Sequence, residues 1–284
     1  MTDVVPYLRP VVLEDALDAL AAGAWRIAAG CTDLFPATER KALQGAILDI
    51  TRIENLRGIS RTEDGIRIGA ATTWTDLIRA DLPPACTGLQ LAAREVGASQ
   101  IQNRGTIAGN LCNASPAADG VPPLLTLDAV VEIRSATSTR HVPLQEFITG
   151  PRQTALSPSE MVTSVLLPET ALAGKGHFVK LGARAYLVIS ISMTAARLVV
   201  EDGVVTQAAL SIGSCGPVAT RLPEVEALMI GKPIDTGLIS DAMVAAAINP
   251  IADMRADAAY RATSAAELLR RTVEVLAFDT EAQS

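Results

Sequence analysis

The sequence predicts an α+β fold in two parts, the second an antiparallel sheet backed by helices. Three observations carry this. Two Asp-Gly pairs, Asp64-Gly65 and Asp202-Gly203, each separate two apolar stretches of strand length, the signature of a β-hairpin. Apolar or small residues recur at helical spacing at 13, 16, 17 and 20, and again at 265, 268, 269, 272, 273 and 276. The composition on either side of Pro168 is that of a linker, in a chain of 284 residues, long enough for two domains.

In chain order, residues 13–22 read as a helix that Gly23 ends. Residues 26–29 read as a short strand running into Gly30-Cys31-Thr32-Asp33-Leu34, and 46–50 as another. In the first hairpin, 56–60 and 66–70 flank Thr62-Glu63-Asp64-Gly65. Thr73 is placed to cap a helix reaching about residue 80, where Pro83-Pro84 stops it. Residues 86–96 are again helical, closed by Gly97; 130–135 and 161–167 read as strands. The second hairpin joins 190–200 to 204–212. Helices follow at about 222–230, 235–247 and 258–277, which suggests helices on one face of an antiparallel sheet. The boundary falls near Pro168, dividing the chain into 1–168 and 169–284.

Composition removes several function classes. Apolar residues make up 49% and charged residues 19%, so a packed core is expected rather than disorder. A net charge of −7 with 3% aromatics suits no nucleic-acid surface. The most apolar stretch, 186–200, is broken by Ser190, Ser192, Thr194 and Arg197, so membrane insertion is not expected. The opening Met-Thr-Asp-Val-Val-Pro lacks the charged and apolar regions of a signal peptide, and a cytoplasmic protein is expected. Cys31, Cys86, Cys112 and Cys215 are widely spaced without a C-x-x-C pair, and His141 and His177 stand alone. No metal or iron–sulfur site within the chain is expected.

The common nucleotide, hydrolase and zinc-protease motifs are absent. Two unusual segments remain: 28–34, and 99–116 with Thr106-Ile107-Ala108-Gly109-Asn110-Leu111-Cys112-Asn113 at its centre. The second is rich in Gly, Asn, Ser and Thr yet nearly uncharged, and is expected to be a loop buried against something polar. Glycine lets a ligand approach the main chain, and consecutive amides in such turns form a nest for phosphate oxygens. A helix starting near Thr32 would add its free amides and positive dipole end. Either segment alone is equally an ordinary small-residue turn; two in one half of the chain point to a dinucleotide.

These two segments, extended through Arg104-Gly105 and Ala114-Ser115-Pro116-Ala117-Ala118-Asp119, resemble the FAD-binding medium subunit of the molybdenum hydroxylases, the family of bacterial xanthine dehydrogenase and carbon monoxide dehydrogenase flavoprotein subunits. The resemblance spans essentially the whole chain. It implies an FAD-binding domain of the vanillyl-alcohol oxidase (p-cresol methylhydroxylase) type in two subdomains, about 1–55 and 56–168, followed by a C-terminal domain of the carbon monoxide dehydrogenase flavoprotein type. It implies cofactor contacts from Ile27, Ala28, Ala29, Gly30, Cys31, Thr32, Asp33 and Leu34 in a first pyrophosphate loop and from Thr106, Gly109 and Asn110 in a second. Ser115, Asp119, Val162 and Lys180 match later contacts. Tyr186 is either a flavin neighbour or a core tyrosine opening a strand. Lys180 and Arg104 are candidates for a positive charge near the flavin ring.

The family usually has Gly-Gly-Thr-Asp where this chain has Gly30-Cys31-Thr32-Asp33, and Cys31 is tolerable there only at negative φ. His141 and His177 lie outside both segments, so FAD is expected to be held non-covalently. The resemblance further implies molybdopterin on a large partner subunit, 2Fe–2S clusters on a small one, and electrons passing through FAD to an acceptor such as NAD. The alternatives are a stand-alone FAD-dependent oxidoreductase of the same fold, or a non-catalytic assembly subunit with a vestigial FAD site.

Overall fold

The computed structural model describes residues 6–39 and 43–281; the residues read for a signal peptide, 1–5, lie outside them. β1 (Tyr7–Leu8), α1 (Leu13–Ala22), β2 (Trp25–Ala28) and β3 (Ala46–Asp49) come first, the strands forming a parallel sheet in the order β1-β3-β2. α1 buries Leu13, Ala16, Leu17 and Leu20, the stripe its spacing predicts, and Gly23 follows in extended conformation. Since β2 and β3 are parallel, with Ala28 opposite Asp49, the chain must cross between strand ends. That crossing leaves β2 at residue 29. The first glycine-bearing segment is therefore the exit from the carboxyl end of a parallel strand, where open parallel sheets receive ligands.

The first hairpin is β4 (Ile59–Thr62) with β5 (Gly65–Gly69), Thr62 facing Gly65. α2 (Trp74–Arg79) starts at a capping box: Thr73 Oγ1 accepts from the Asp76 amide, and the Asp76 carboxylate accepts from the Thr73 amide. Next come α3 (Thr87–Glu95), α4 (Ser99–Gln102), α5 (Ile107–Asn113), α6 (Val121–Thr126), β6 (Val130–Arg134), β7 (Thr139–Pro143), α7 (Leu144–Phe147), the small hairpin β8 (Ile148–Gly150) with β9 (Gln153–Thr154), and β10 (Met161–Pro168). β10 returns to the centre of an antiparallel sheet ordered β4-β5-β10-β6-β7. The expected loop 99–116 thus contains two short helices. Thr106 Oγ1 accepts from the Gly109 amide and caps α5, whose Ile107 and Leu111 are buried one turn apart.

The C-terminal part contains β11 (Lys175–Leu181), β12 (Ser192–Glu201), β13 (Val204–Gly213), β14 (Thr220–Arg221), α8 (Pro223–Met229), α9 (Asp241–Ala247) and α10 (Ala258–Glu281). The strands are antiparallel in that order. Asp202 (φ 51°) and Gly203 (φ 76°) are both left-handed, as a tight hairpin turn between right-twisted strands requires. All six stripe positions of α10 are buried, Ala265, Leu268, Leu269, Thr272, Val273 and Leu276.

Helices cover both faces of this sheet, not one. Ala196 and Leu198 pack with Ala265, Leu269 and Val273 of α10, whereas Met193, Ala195 and Phe178 pack with Ala92 of α3. The strand alternation therefore joins the two halves of the chain. Arg197 follows Met193 and Ala195 on that inner face. Its buried guanidinium donates to the Thr126 carbonyl from Nε at 2.9 Å and to Gln207 Oε1 at 3.2 Å. Arg221 donates from Nη1 to the Leu125 carbonyl and to Asp128, each at 2.8 Å. Two C-terminal arginines thus satisfy the carbonyls at the end of α6. Replacing Arg197 by Met should cost about 2–4 kcal/mol, because buried acceptors lose their donor. Urea unfolding of the full chain measures it, and a loss below about 0.5 kcal/mol would show that the clamp is not needed.

Candidate functional site

The two segments singled out in the sequence meet. A Cβ built on Gly30 would lie 1.8 Å from the Arg104 carbonyl oxygen and 3.0 Å from Gly105 Cα, so the two main chains pack directly on each other. One built on Gly105 would touch Trp74 Cδ1 at 3.2 Å and Thr32 Oγ1 at 3.4 Å. Beside this junction opens a cleft of about 1450 Å³. Its walls come from both segments, from the start of β10 and from the connection between β11 and β12. Sites for drug-sized ligands occupy ~300–1,000 Å³, so this one has room for a larger molecule.

Ile27, Ala29, Gly30, Cys31, Thr32, Asp33 and Leu34 line the cleft, whereas Ala28 stays buried in β2. No helix starts at Thr32. Residues 32–37 are turns, closed by the Phe35 amide on Cys31 O at 3.4 Å and the Ala37 amide on Asp33 O at 3.0 Å. The Gly30, Cys31 and Thr32 amides meet no acceptor among the described residues, so this loop keeps donors free for an anion. Cys31 has φ 60°, not the negative φ its side chain prefers. Burial, reinforced by Asp49, pushes its thiol up, away from a reactive thiolate.

The second segment is not an amide nest. The Ile107 amide donates to Thr72 O at 3.0 Å, Ala108 to Ala70 O at 3.2 Å, and Asn110 to Thr106 O at 3.0 Å. What this segment offers instead is side chains and glycine surface. Thr106, Gly109 and Asn110 line the cleft, and Asn110 Oδ1 is buried without a partner. That oxygen is turned in on Gly120, whose Cβ would lie 3.2 Å from it, so it is the rest of the residue that meets the cleft.

Ser115, Asp119 and Val162 also line the cleft. Ala114, at φ 44°, ends α5, and Ser115 Oγ accepts from the Ala117 amide at 3.3 Å, turning the chain toward Asp119. Asp119 Oδ2 accepts from Lys180 Nζ at 2.8 Å, and Lys180 also donates to the Glu95 carbonyl at 3.1 Å. Burial raises the Asp119 carboxyl while Lys180 and Ser190 oppose it. Lys180 stands behind Asp119 rather than in the cleft wall. Arg104 is exposed, and its carbonyl, not its guanidinium, faces Gly30. Tyr186 is 76% exposed; it is no core residue, since β12 begins at Ser192.

Sequence reasoning missed several wall residues. Trp74 is buried with its ring edge under Gly105 and Gly120; a rare tryptophan beside a capping threonine was the available signal. Arg152, left-handed at φ 60° in the β8–β9 turn, donates to the Asn113 carbonyl at 3.1 Å and to its side chain. Glu160 takes a bidentate bond from Arg140, 2.8 Å from Nε and 2.7 Å from Nη2, plus the Ser157 amide at 2.8 Å. Leu187, Val188 and Ile189 line the cleft from the far half of the chain. Nothing local in the sequence marks these last three sites.

Comparison with known proteins follows this geometry. Residues 2–170 match the family described as the FAD binding domain in molybdopterin dehydrogenase, and residues 177–276 match the CO dehydrogenase flavoprotein C-terminal domain. The chain is 34% identical over 245 residues to the putative xanthine dehydrogenase FAD-binding subunit of Escherichia coli, covering 83% of this chain and 82% of that protein. It is 34% identical over 218 residues to the nicotinate dehydrogenase FAD-subunit of Eubacterium barkeri, covering 73% and 72%. Its fold matches a chain of carbon monoxide dehydrogenase from Hydrogenophaga pseudoflava with a TM-score of 0.87 at 25% identity, over 96% and 97% of the two chains.

Two outcomes follow from the cleft walls. Cys31→Gly removes a side chain from the left-handed region and should stabilise the fold by about 0.5–1 kcal/mol after glycine's entropy cost. A melting temperature raised by about 1–3 °C is expected, and a lowered one counts against backbone strain. Hydrogen bonds from Arg140 hold the Glu160 carboxyl down to about 2, against burial and with help from the Ser157 amide. A depressed carboxyl stabilises the folded chain fully above its unfolded value of about 4.3, and that contribution is lost as pH falls toward 2. Glu160→Gln should flatten the stability profile in this window by about 1–2 kcal/mol, discounted for the half-exposed Arg140. Identical acid profiles for the two proteins would refute it.

Proposed function

The chain belongs to the FAD-binding family of the molybdopterin dehydrogenases and is an FAD-carrying oxidoreductase subunit, and on that premise we propose that it is the electron-relay subunit of a molybdenum hydroxylase complex. It would take electrons from 2Fe–2S clusters on a small partner subunit and deliver them to an acceptor such as NAD. A large partner subunit would carry molybdopterin and bind the organic substrate. No helix among the described residues is long and apolar enough to cross a membrane, and a cytoplasmic complex is part of the same reading.

The observation that carries the proposal is the open cleft of about 1450 Å³ at the junction of the two segments, where the first loop keeps the Gly30, Cys31 and Thr32 amides without an acceptor among the described residues. A vestigial site would have closed these groups on protein partners. The Gly30, Cys31 and Thr32 amides would hold the diphosphate, where Gly30 alone lets both loops come close enough. Asn110 would contact the ligand from the second segment. Bound there, FAD supplies a centre that takes electrons singly and gives them up in pairs. On the cleft floor Asp119 is paired with Lys180 behind it. Arg152 adds a cation at the wall, tied to Asn113.

Titration of the purified chain with FAD tests this. One flavin should bind per chain and be released on denaturation. Asn110→Ala should weaken binding about tenfold, and Gly30→Ala should abolish it. Uptake of no flavin by the wild type overturns the reading. Flavin that stays with the denatured chain would instead indicate a covalent link through Cys31 or Cys112, the cysteines in the cleft wall.

A further inference from the structure

Asp119 uses both carboxylate oxygens. Oδ2 accepts from Lys180, and Oδ1 accepts from Ser190 Oγ at 2.6 Å. Ser190 is fully buried near the end of the connection 182–191, which brings Leu187, Val188 and Ile189 into the cleft wall. That connection is closed at its base by the Ile191 amide on Leu181 O at 2.8 Å. It is braced by Arg184, which donates to the carbonyls of Tyr186 at 3.0 Å and Leu187 at 2.6 Å.

Ser190 itself is aimed from elsewhere. Arg255 Nη1 donates to the Ser190 carbonyl at 3.0 Å, and the fully buried Arg261 donates to the next carbonyl, Ile191. The two guanidiniums share Asp253. Arg255 Nε donates to its Oδ2 at 3.0 Å and Arg261 Nη2 to its Oδ1 at 2.7 Å. Arg261 is fastened further by the Ser214 carbonyl at 2.8 Å. Partial burial works against the Asp253 carboxylate, yet the bonds and charge of Arg255, with the charge of Arg261, hold its carboxyl well below the usual range. One ionised carboxylate thus orients two arginines, and these fix two successive carbonyls beside the cleft.

We propose that Arg255 and Asp253, which do not line the cleft, are positioning residues for the bound flavin: by holding the Ser190 carbonyl they keep the Ser190 hydroxyl on Asp119 and fix the Asp119–Lys180 pair on the cleft floor. The inference rests on the FAD reading of the cleft. Losing the Ser190 hydroxyl leaves one oxygen of a buried carboxylate without its donor. The pair then turns, and a displaced charge beside a flavin moves both its affinity and its absorption.

The test uses the full chain loaded with FAD, in the variants Arg255→Ala, Arg255→Lys, Ser190→Ala and the double variant Arg255→Ala/Ser190→Ala. FAD affinity and the position of the visible flavin band are read in each. Arg255→Ala and Ser190→Ala should each weaken binding about fivefold and shift the band in the same direction. The double variant should be no weaker than either single one, since both act through one hydrogen bond. Arg255→Lys should restore most of the affinity and the band. The proposal is overturned if Arg255→Ala leaves affinity and band unchanged, or if the two effects multiply in the double variant. Ser190→Ala, which removes one oxygen atom, keeps the test valid should Arg255→Ala fold poorly. A wild-type chain that binds no FAD would overturn the cofactor reading and this inference with it.

Discussion

The site depends on one steric constraint, the contact between the backbone at Gly30 and the Arg104 carbonyl. No other residue fits at position 30, because even a methyl group would occupy the place of that oxygen. The contact brings together two segments, one leaving the parallel β2 and one entering α5. It also places the free amides of the first loop across from Asn110. Without it there would be two unrelated surface turns; with it there is a single cleft lined by both.

That division of labour follows from where each amide finds its partner. Around α5 the Thr72 and Ala70 carbonyls lie close enough to take the first helical amides, so the helix N-terminus is already satisfied by protein. At Gly30, Cys31 and Thr32 the crossover from β2 meets no acceptor among the described residues, so those amides stay open. Placing Cys31 at φ 60° is part of the same geometry. The turn needs a left-handed residue, and this chain meets the need with a side chain that pays in backbone strain.

Much of this was legible in the sequence, for reasons that are local. The stripes of α1 and α10 are periodic because each helix has one dry face, and Asp202-Gly203 reads as a turn because both residues must be left-handed. The cleft segments were visible because main chains that pack directly on each other demand small residues. What was not legible depends on distant parts of the chain. α5 looks like a loop, since Gly109, Asn110 and Asn113 are poor helix formers, and only the Thr106 cap and the packing of Ile107 and Leu111 fold it. α6 hides behind Pro122-Pro123, which suit a first helical turn but read as a break. β7 is an edge strand whose alternating exposure leaves little apolar signal. No spacing could announce that Leu187–Ile189 reach the cleft, because their position is set by the end of β11.

The C-terminal domain is accordingly part of the site rather than an appendage. β11 carries Lys180 to Asp119, and its return through Ser190 supplies the other donor to the same carboxylate. Removing that domain would strip Asp119 of both these partners. The arginine clamp on the end of α6 and the apolar contact with α3 hold β11 and β12 at the distance these bonds require. A site whose floor is shared in this way can be kept rigid only if the two halves fold against each other, and the burial of Arg197 and Arg261, one on each face of the sheet, places a fixed charge network on either side of the strands that reach the cleft.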